Sequence, residues 1–166
     1  MRPEQHEYFL ILAKIASMRS SCIRRMVGCI LVDENNHILS IGYNGPPAGF
    51  PNCTENPCEG AIEAVSGQNL DSCRAVHAEA NAIIQCLDIR RIHAAYLTVS
   101  PCRECIKLLL STPCKKLYFL ETYNHADSLE LWTESGRTYS EMAITKRTAK
   151  FVAGEIYRAG LRNLRS

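Results

Sequence analysis

The apolar positions of the chain follow a helical period first and a strand pattern afterwards. Between residues 4 and 18 they recur about every three to four positions, which predicts an opening amphipathic helix. The segments "VGCILVD" and "HILSIGY" that follow are short and rich in β-branched residues. The polar "ENN" between them predicts that these two strands form a hairpin.

The second half of the chain predicts helices and strands in alternation. The pattern indicates helices at 77–87, 103–110 and about 126–134, strands at 94–99, 116–120 and 137–142, and a final helix at 144–161. Such alternation is typical of an α/β protein with helices on both faces of its sheet. We expect a single domain, residues 1–166, built as a three-layer α/β/α sandwich around a mixed, mostly parallel five-stranded sheet.

The segment between the hairpin and the second helix predicts irregular structure. Four of the seven prolines and four of the nine glycines lie between residues 45 and 67. A loop of this length is uncommon in a compact domain unless additional interactions hold it in place. We therefore treat residues 44–76 as a loop insertion that requires a structural constraint.

Composition and charge exclude few functions. The chain has 166 residues, 46% of them hydrophobic, and a formal charge of +2 with acids and bases interleaved, so no overall field favours nucleic acid or a membrane. Charged residues interrupt the apolar positions near the start of the chain, whereas a signal peptide or a membrane span has an uninterrupted apolar core. We therefore expect a cytoplasmic protein. Residues 142–166 form a basic C-terminal helix with six basic residues and one acid, which is either a solvated face or a surface that attracts phosphate.

Two short motifs carry candidate chemistry. "VHAEANAII" contains His77 and Glu79, and "SPCREC" contains Cys102 and Cys105 at the start of a predicted helix, whose N-terminus favours thiolates. A zinc ion bound by His77 and the two cysteines keeps a fourth position for water, which indicates a catalytic site. Glu79 can then exchange protons with that water. The combined pattern is that of zinc deaminases acting on cytosine or adenine.

Each motif taken alone has a simpler interpretation. A single C-x-x-C can be a redox pair or half of a structural zinc site, and a single H-x-E arises by chance. The redox interpretation explains neither His77 nor Glu79.

The other cysteines fall into two classes. Three lie in apolar surroundings and are predicted to be buried, namely Cys29, Cys86 and Cys114. Four lie in polar or irregular sequence, and we call them the loop thiols: Cys22, Cys53, Cys58 and Cys73. Together with a long loop that has no other predicted constraint, they suggest a second, structural zinc site closed by four cysteines. Free cysteines, or a site completed by a histidine, are the alternatives.

Four segments in order resemble the deoxycytidylate (dCMP) deaminases of the cytidine deaminase superfamily. They are "CIRRMVGCILV", "GYNGPPAGFPNC", "CRAVHAEANAII" and "SPCREC", within residues 20–123. "GYNG" and Asn81 distinguish the chain from tRNA adenosine deaminases and ordinary cytidine deaminases. The resemblance implies a cytidine deaminase-like fold, a homo-oligomer that is often a hexamer, and zinc-dependent hydrolysis of dCMP to dUMP with release of ammonia. The resemblance also supports the prediction of a second zinc ion, because some family members bind one at cysteines in matching positions.

The resemblance also implies roles for particular residues. His77, Cys102 and Cys105 hold the catalytic zinc and Glu79 moves protons. Candidate substrate-binding residues are Asn44, Tyr123, Ala78 and Ser100, with Arg24 and Arg25 as either a grip on the phosphate or surface charges. Family members are often regulated by dCTP and dTTP as effectors, but here no arginine matches an effector site clearly, although Arg90 and Arg91 are nearby.

Other functions remain open from the residues alone. The substrate could be dCTP or a 5-substituted dCMP, because the motifs specify the reaction more firmly than the phosphate count. A nucleic-acid or tRNA base deaminase would use the basic tail, although we expect no nucleic-acid partner. A non-catalytic, zinc-stabilised binding module would have no chemical use for Glu79.

Overall fold

The computed structural model describes residues 1–62, 73–123 and 126–162, with only the backbone of residues 126, 161 and 162. The helices are α1 (Gln5–Ser17), α2 (Glu59–Ile62), α3 (Ala78–Gln85), α4 (Arg103–Leu110), α5 (Ala126–Glu134) and α6 (Lys146–Arg162). The strands are β1 (Gly28–Val32), β2 (Ile38–Tyr43), β3 (Ala94–Leu97), β4 (Lys116–Phe119) and β5 (Thr138–Glu141). A 3₁₀ turn covers Ile89–Arg91.

The described strands form one mixed sheet in the order β2-β1-β3-β4-β5. β1 is antiparallel to both β2 and β3, whereas β3, β4 and β5 are parallel. Four described strands therefore run in one direction and β1 runs against them, which confirms the mixed, mostly parallel sheet. The tight β1–β2 hairpin produces an antiparallel pair, and the helical crossover through α4 makes β3 and β4 parallel.

Helices cover both faces of the sheet. Successive residues of a strand point to opposite faces, and β1 is buried along its whole length. Ile30 and Val32 pack in one core cluster with α1, whereas Cys29 and Leu31 pack in the other with α3, α4 and α5. The three-layer sandwich is confirmed.

Two glycines allow helices to approach the sheet closely. A Cβ atom at Gly28 would lie 2.0 Å from the carbonyl oxygen of Ala13 in α1, and one at Gly42 would lie 2.1 Å from that of Ala78 in α3. Any side chain at Gly42 would therefore push α3 away from β2. This contact sets the position of the residues at the start of α3.

The described part of the 44–76 loop is closed at its base. The N–H of Gly45 donates to the carbonyl oxygen of Val76 (3.2 Å), and the N–H of Val76 donates to that of Gly45 (2.9 Å). The loop also contains α2, a single helical turn without an apolar period that could have predicted it. Residues 63–72, which belong to the predicted irregular segment, lie outside the described residues.

The final helix begins later than predicted because Thr145 caps it. The Thr145 hydroxyl accepts from the N–H of Thr148 (3.2 Å), and the buried Glu7 carboxylate accepts from the N–H of Thr145 (2.7 Å) and the hydroxyl of Thr148 (2.8 Å). These bonds join α6 to α1, and the helix starts at Lys146. Most described side chains of α6 are exposed. Residues 163–166 of the predicted basic helix lie outside the described residues.

Within the described residues, no helix is both long and apolar enough to cross a membrane.

Candidate active site

The ends of two helices bring the predicted zinc ligands together. His77 directly precedes α3, and Cys102 directly precedes α4. The His77 Nδ1 atom lies 3.4 Å from the Sγ of Cys102 and 3.4 Å from the Sγ of Cys105. Zinc–nitrogen bonds of about 2.0 Å and zinc–sulfur bonds of about 2.3 Å in a tetrahedron require an N–S separation of about 3.5 Å. The three side chains therefore fit a zinc ion without rearrangement.

The spacing of the cysteines suits the helix that carries them. Residues at positions i and i+3 lie on the same side of a helix, so Cys102 and Cys105 face His77 together. The preceding Pro101 is held by the buried Ser128, whose hydroxyl donates to its carbonyl oxygen (2.9 Å). The start of α4 is thereby fixed to α5.

The charges of this cluster suit a divalent cation. A hydrogen bond from the Cys105 thiol, followed by the interaction with the His77 imidazole, lowers the pKa of Cys102 to about 4. The pKa of Cys105 is raised, because it is the partner that keeps its proton. In the metal-free cluster, one thiolate is thus already favoured next to the imidazole. A bound zinc ion would displace the remaining proton, as thiolate ligands require.

Glu79 lies on the first turn of α3 beside these ligands. Its side chain is 4% exposed, and burial, followed by the charge of the Cys102 thiolate, raises the pKa of its carboxyl group. A buried carboxyl group with a raised pKa binds a proton more readily than an exposed one and can return it. Glu79 is therefore placed for proton transfer.

Two side chains whose roles the sequence did not predict hold α3 in place. The Asn81 side chain donates to the carbonyl oxygen of Tyr43 (2.8 Å), and the Ser40 hydroxyl donates to that of Ala82 (2.6 Å). Both bonds join α3 to β2, next to the close contact at Gly42. Asn81 lies one helical turn after His77. This spacing is the sequence feature that could have predicted that Asn81 holds α3 in position.

The cluster forms one wall of a cavity of about 640 Å³, a volume that includes solvent at its mouth. His77, Glu79 and Cys102 line this cavity. All the predicted substrate-binding residues line it as well, and they are Arg24, Arg25, Asn44, Ala78, Ser100 and Tyr123. The structure thus brings together residues from segments that are far apart in sequence.

Asn44 shapes the cavity through the backbone before β1. Its Oδ1 accepts from the N–H of Val27 (2.8 Å), and its Nδ2 donates to the carbonyl oxygen of Arg25 (2.8 Å). The side chain is 7% exposed. Asn44 therefore fixes the segment that carries the arginines, in addition to any contact with a ligand.

The two arginines have different surroundings. Arg24 donates to the carbonyl oxygen of Gly60 in α2 (2.9 Å), which joins this segment to the loop. Arg25 pairs with Glu121 (Nη2 to Oε2, 2.5 Å), and its guanidinium lies over the ring of Tyr123, 5.2 Å from the centroid. Glu121 was not predicted as a site residue, because a single glutamate after a strand carries no motif.

The loop thiols form a second group next to the same cavity. The Sγ atoms of Cys53 and Cys58 are 3.8 Å apart, and those of Cys58 and Cys73 are 4.0 Å apart. Cys22 and Cys73 line the cavity. Although these cysteines lie in polar or irregular sequence, Cys22, Cys53 and Cys58 are buried. Cys29, Cys86 and Cys114 are buried as predicted.

The two groups differ in compactness. Among the described residues, the group of three or more donors that all lie within 4.8 Å of one another consists of His77, Cys102 and Cys105. The Sγ atoms of the loop thiols do not all lie within 4.8 Å of one another. Their closest pairs nevertheless have the separation of about 3.8 Å that two thiolates on one tetrahedral zinc ion require.

The chain matches a known family and several of its members. Residues 3–121 match the family model described as the cytidine and deoxycytidylate deaminase zinc-binding region. A deoxycytidylate deaminase of Schizosaccharomyces pombe is 36% identical over 126 residues, which are 74% of this chain and 39% of that protein. The deoxycytidylate deaminase of Mycobacterium phage D29 is 37% identical over 123 residues, 71% of this chain and 95% of that protein. The chain therefore spans less than half of the yeast relative but nearly the whole phage relative.

A solved structure shares the fold. The crystal structure of dCMP deaminase from the cyanophage S-TIM5 in complex with dCMP and dUMP superposes with a TM-score of 0.67 at 29% identity, covering 86% of this chain and 99% of that chain. Together with the family match and the His/Cys/Cys cluster, this shows that the chain belongs to the zinc-binding cytidine and deoxycytidylate deaminase family.

Proposed function

We propose that this chain catalyses the hydrolytic deamination of dCMP to dUMP with release of ammonia, and that it uses one zinc ion for this chemistry. The observation that carries the proposal is the buried Glu79 carboxylate beside His77, Cys102 and Cys105, on the wall of a cavity that all the predicted substrate-binding residues line. The names of the yeast and phage relatives and the ligands of the cyanophage structure support the choice of dCMP.

Glu79 performs the proton transfers of this reaction. A zinc ion held by His77, Cys102 and Cys105 would supply the Lewis acid that activates a water molecule. Glu79 would accept one proton from an attacking water molecule as the water oxygen bonds to C4 of the cytosine ring, and would deliver this proton to the ring nitrogen. It would then take the second proton from the new C4 hydroxyl and deliver it to the departing amine. The C4–N bond breaks, ammonia leaves and C4 keeps the oxygen. Because Glu79 is buried, its carboxylate is shielded from bulk water during these transfers.

The other lining residues bind and orient the nucleotide. Asn44 uses one amide hydrogen and one lone pair of Oδ1 for the backbone, and its remaining hydrogen and remaining lone pair suit a sugar hydroxyl. Ala78 and Ser100 lie next to the ligand residues and contact the ring. Arg25, which lies over Tyr123 at the cavity, receives the phosphate, and Arg24 adds positive charge beside it.

A second zinc ion at the loop thiols is part of the same proposal. The two Sγ separations of 3.8 and 4.0 Å suit thiolates on one ion. Although burial opposes ionisation of Cys58, N–H groups of Arg74 and Ala61 lower the pKa of its thiol. The second zinc ion would join the segment of Arg24 and Arg25 to the 44–76 loop and to the residues that precede His77.

We also propose that the protein is a homo-oligomer, with a hexamer as the form that the family resemblance implies. Large apolar side chains are exposed along β2 and at the end of α3, among them Ile41, Ile84 and Leu87. Light scattering on the purified protein measures this directly. Regulation by dCTP and dTTP and a cytoplasmic location stay predictions. Arg91, one of the two nearby arginines, pairs with the buried Asp33.

Ammonia release from dCMP, dCTP, deoxycytidine and 5-methyl-dCMP tests the proposal. We expect turnover of dCMP, and a loss of about a thousandfold or more in Glu79→Gln, because this isosteric change removes the proton acceptor. The variant should bind as much zinc per chain as the native protein, since Glu79 is not a ligand. If zinc is bound and no nucleotide of the panel reacts, the proposal fails and a polymeric substrate becomes the better candidate.

A further inference from the structure

Glu121 occupies a fixed place just after β4. The N–H of Ser100 donates to its carbonyl oxygen (2.9 Å), and the N–H of Tyr123 donates back to the hydroxyl of Ser100 (2.7 Å). Ser100 lies two residues before the ligand Cys102. The position of Glu121 relative to the active site is therefore set by the backbone and does not depend on its own ion pair.

The Glu121 side chain contacts the arginine assigned to the phosphate. Arg25 Nη2 donates to Glu121 Oε2 (2.5 Å), while Tyr123 supports the guanidinium from its ring face. The backbone of Arg25 is also fixed, because its carbonyl oxygen accepts from Asn44. Arg25 is thus held by a carboxylate, a ring and a buried amide.

The carboxylate lies on the solvent side of this arginine. Arg25 and Tyr123 line the cavity, whereas Glu121 is not among its lining residues. The Glu121 side chain is 64% exposed and that of Arg25 is 34% exposed. A guanidinium has several N–H donors in one plane. The inner donors can therefore bind a phosphate while the outer nitrogen keeps its bond to Glu121.

We propose that Glu121 restricts the substrate to a single phosphate group, an inference that rests on the proposed function. The α-phosphate of a bound nucleotide meets Arg25, and a longer phosphate chain continues outward, where it meets the Glu121 carboxylate. At low ionic strength, two additional negative charges at about 7 Å from a carboxylate in water are disfavoured by roughly a factor of ten. Glu121 is then a specificity-determining residue that selects dCMP over dCTP.

The test compares the two nucleotides in three proteins. The ratio of kcat/KM for dCMP to that for dCTP is measured in the native enzyme, in Glu121→Gln and in Glu130→Gln, a matched loss of charge at an exposed position of α5. We expect the ratio to fall about tenfold in Glu121→Gln, through a lower KM for dCTP, and to stay unchanged in the control. If dCTP is turned over too slowly, its competitive inhibition constant against dCMP replaces its kcat/KM.

Salt separates charge repulsion from a structural role. Because the screening length falls from about 10 Å at 0.1 M salt to about 3 Å at 1 M, the difference between the native enzyme and Glu121→Gln should shrink at high salt. An equal loss of activity on both nucleotides would overturn the inference, since it would mean that Glu121 merely positions Arg25. An unchanged ratio would also overturn it. Both results leave dCMP deamination intact, whereas a native enzyme inactive on dCMP refutes the proposed function and this inference with it.

Discussion

The two groups of candidate metal ligands among the described residues are assembled in different ways. His77, Cys102 and Cys105 lie at the starts of α3 and α4, which are held by the sheet. The loop thiols come from irregular segments on either side of the hairpin and before α3. Regular elements therefore preform the first group, whereas the second group must itself hold its segments together. We infer that the first serves catalysis and the second serves the shape of the cavity.

The two groups also share a wall. Cys22 and Cys73 line the same cavity as His77 and Glu79. Substitution of a loop thiol should therefore weaken substrate binding and stability. Substitution of His77, Cys102 or Cys105 should instead abolish the chemistry and leave the fold largely intact. The following predictions test that difference.

The largest effect is expected from Cys105→Ser. Loss of a thiolate ligand should reduce kcat on dCMP by at least about a thousandfold, because zinc no longer activates water. The unfolding temperature should change by only a few degrees, since α4 stays packed on the sheet. Ammonia release, zinc content and thermal unfolding measure the three quantities. Cys86→Ser, a change at a buried cysteine outside both groups, is the control.

Cys58→Ser should have the opposite profile. Cys58 is 1% exposed and bridges Cys53 and Cys73, so its loss should lower the free energy of unfolding by about 3 kcal/mol. In a chain of this size the unfolding temperature should then fall by about 6–12 °C. KM for dCMP should rise more than kcat falls. An unfolding temperature equal to that of Cys86→Ser, with unchanged zinc content, would contradict the second zinc site.

Asn44→Ala should moderately weaken both the stability of the protein and the binding of dCMP. The change removes hydrogen bonds to the N–H of Val27 and the carbonyl oxygen of Arg25, which we expect to cost about 2 kcal/mol of stability. KM for dCMP should rise because Arg25 loses its backbone support. Asn44→Asp keeps the acceptor for Val27 and should recover part of the stability but not the binding. Identical KM values in native enzyme and Asn44→Ala would show that Asn44 does not support the nucleotide site.

Glu7→Gln provides a smaller loss of stability far from both groups. Hydrogen bonds from the Thr145 N–H and then the Thr148 hydroxyl lower the pKa of Glu7 below 4.5. A lowered folded-state pKa means that the carboxylate stabilises the fold above about pH 4.5, and that this contribution is lost as the pH falls through the lowered value. At pH 7 the variant should be less stable by about 1–2 kcal/mol, with unchanged activity on dCMP.

The pH series checks the sign of this effect. Urea denaturation of native protein and Glu7→Gln should give curves that differ at pH 7 and converge in acid. A difference that grows as the pH falls would mean that the Glu7 carboxylate does not stabilise the junction between α1 and α6.

Most regular elements were predictable because their apolar periods are strong. The period of residues 4–18 corresponds to α1, and the β-branched runs correspond to β1 and β2. Single turns such as α2 and Ile89–Arg91 are too short to show a period, and they were missed. The start of α6 depended on Glu7, a partner more than a hundred residues away. No local pattern contains that information.

The sequence by itself determined which residues are the candidates for the proposed chemistry, because a histidine, a glutamate and two cysteines at helix starts have few other uses together. Tertiary structure alone decided what surrounds them. Gly42 admits α3 to the sheet, the loop encloses its thiols, and Arg25 meets Glu121 across 96 positions of the chain. The physical reason is that a spacing motif reports contacts within one turn or between adjacent segments. Contacts between distant segments depend on the packing of the whole sheet.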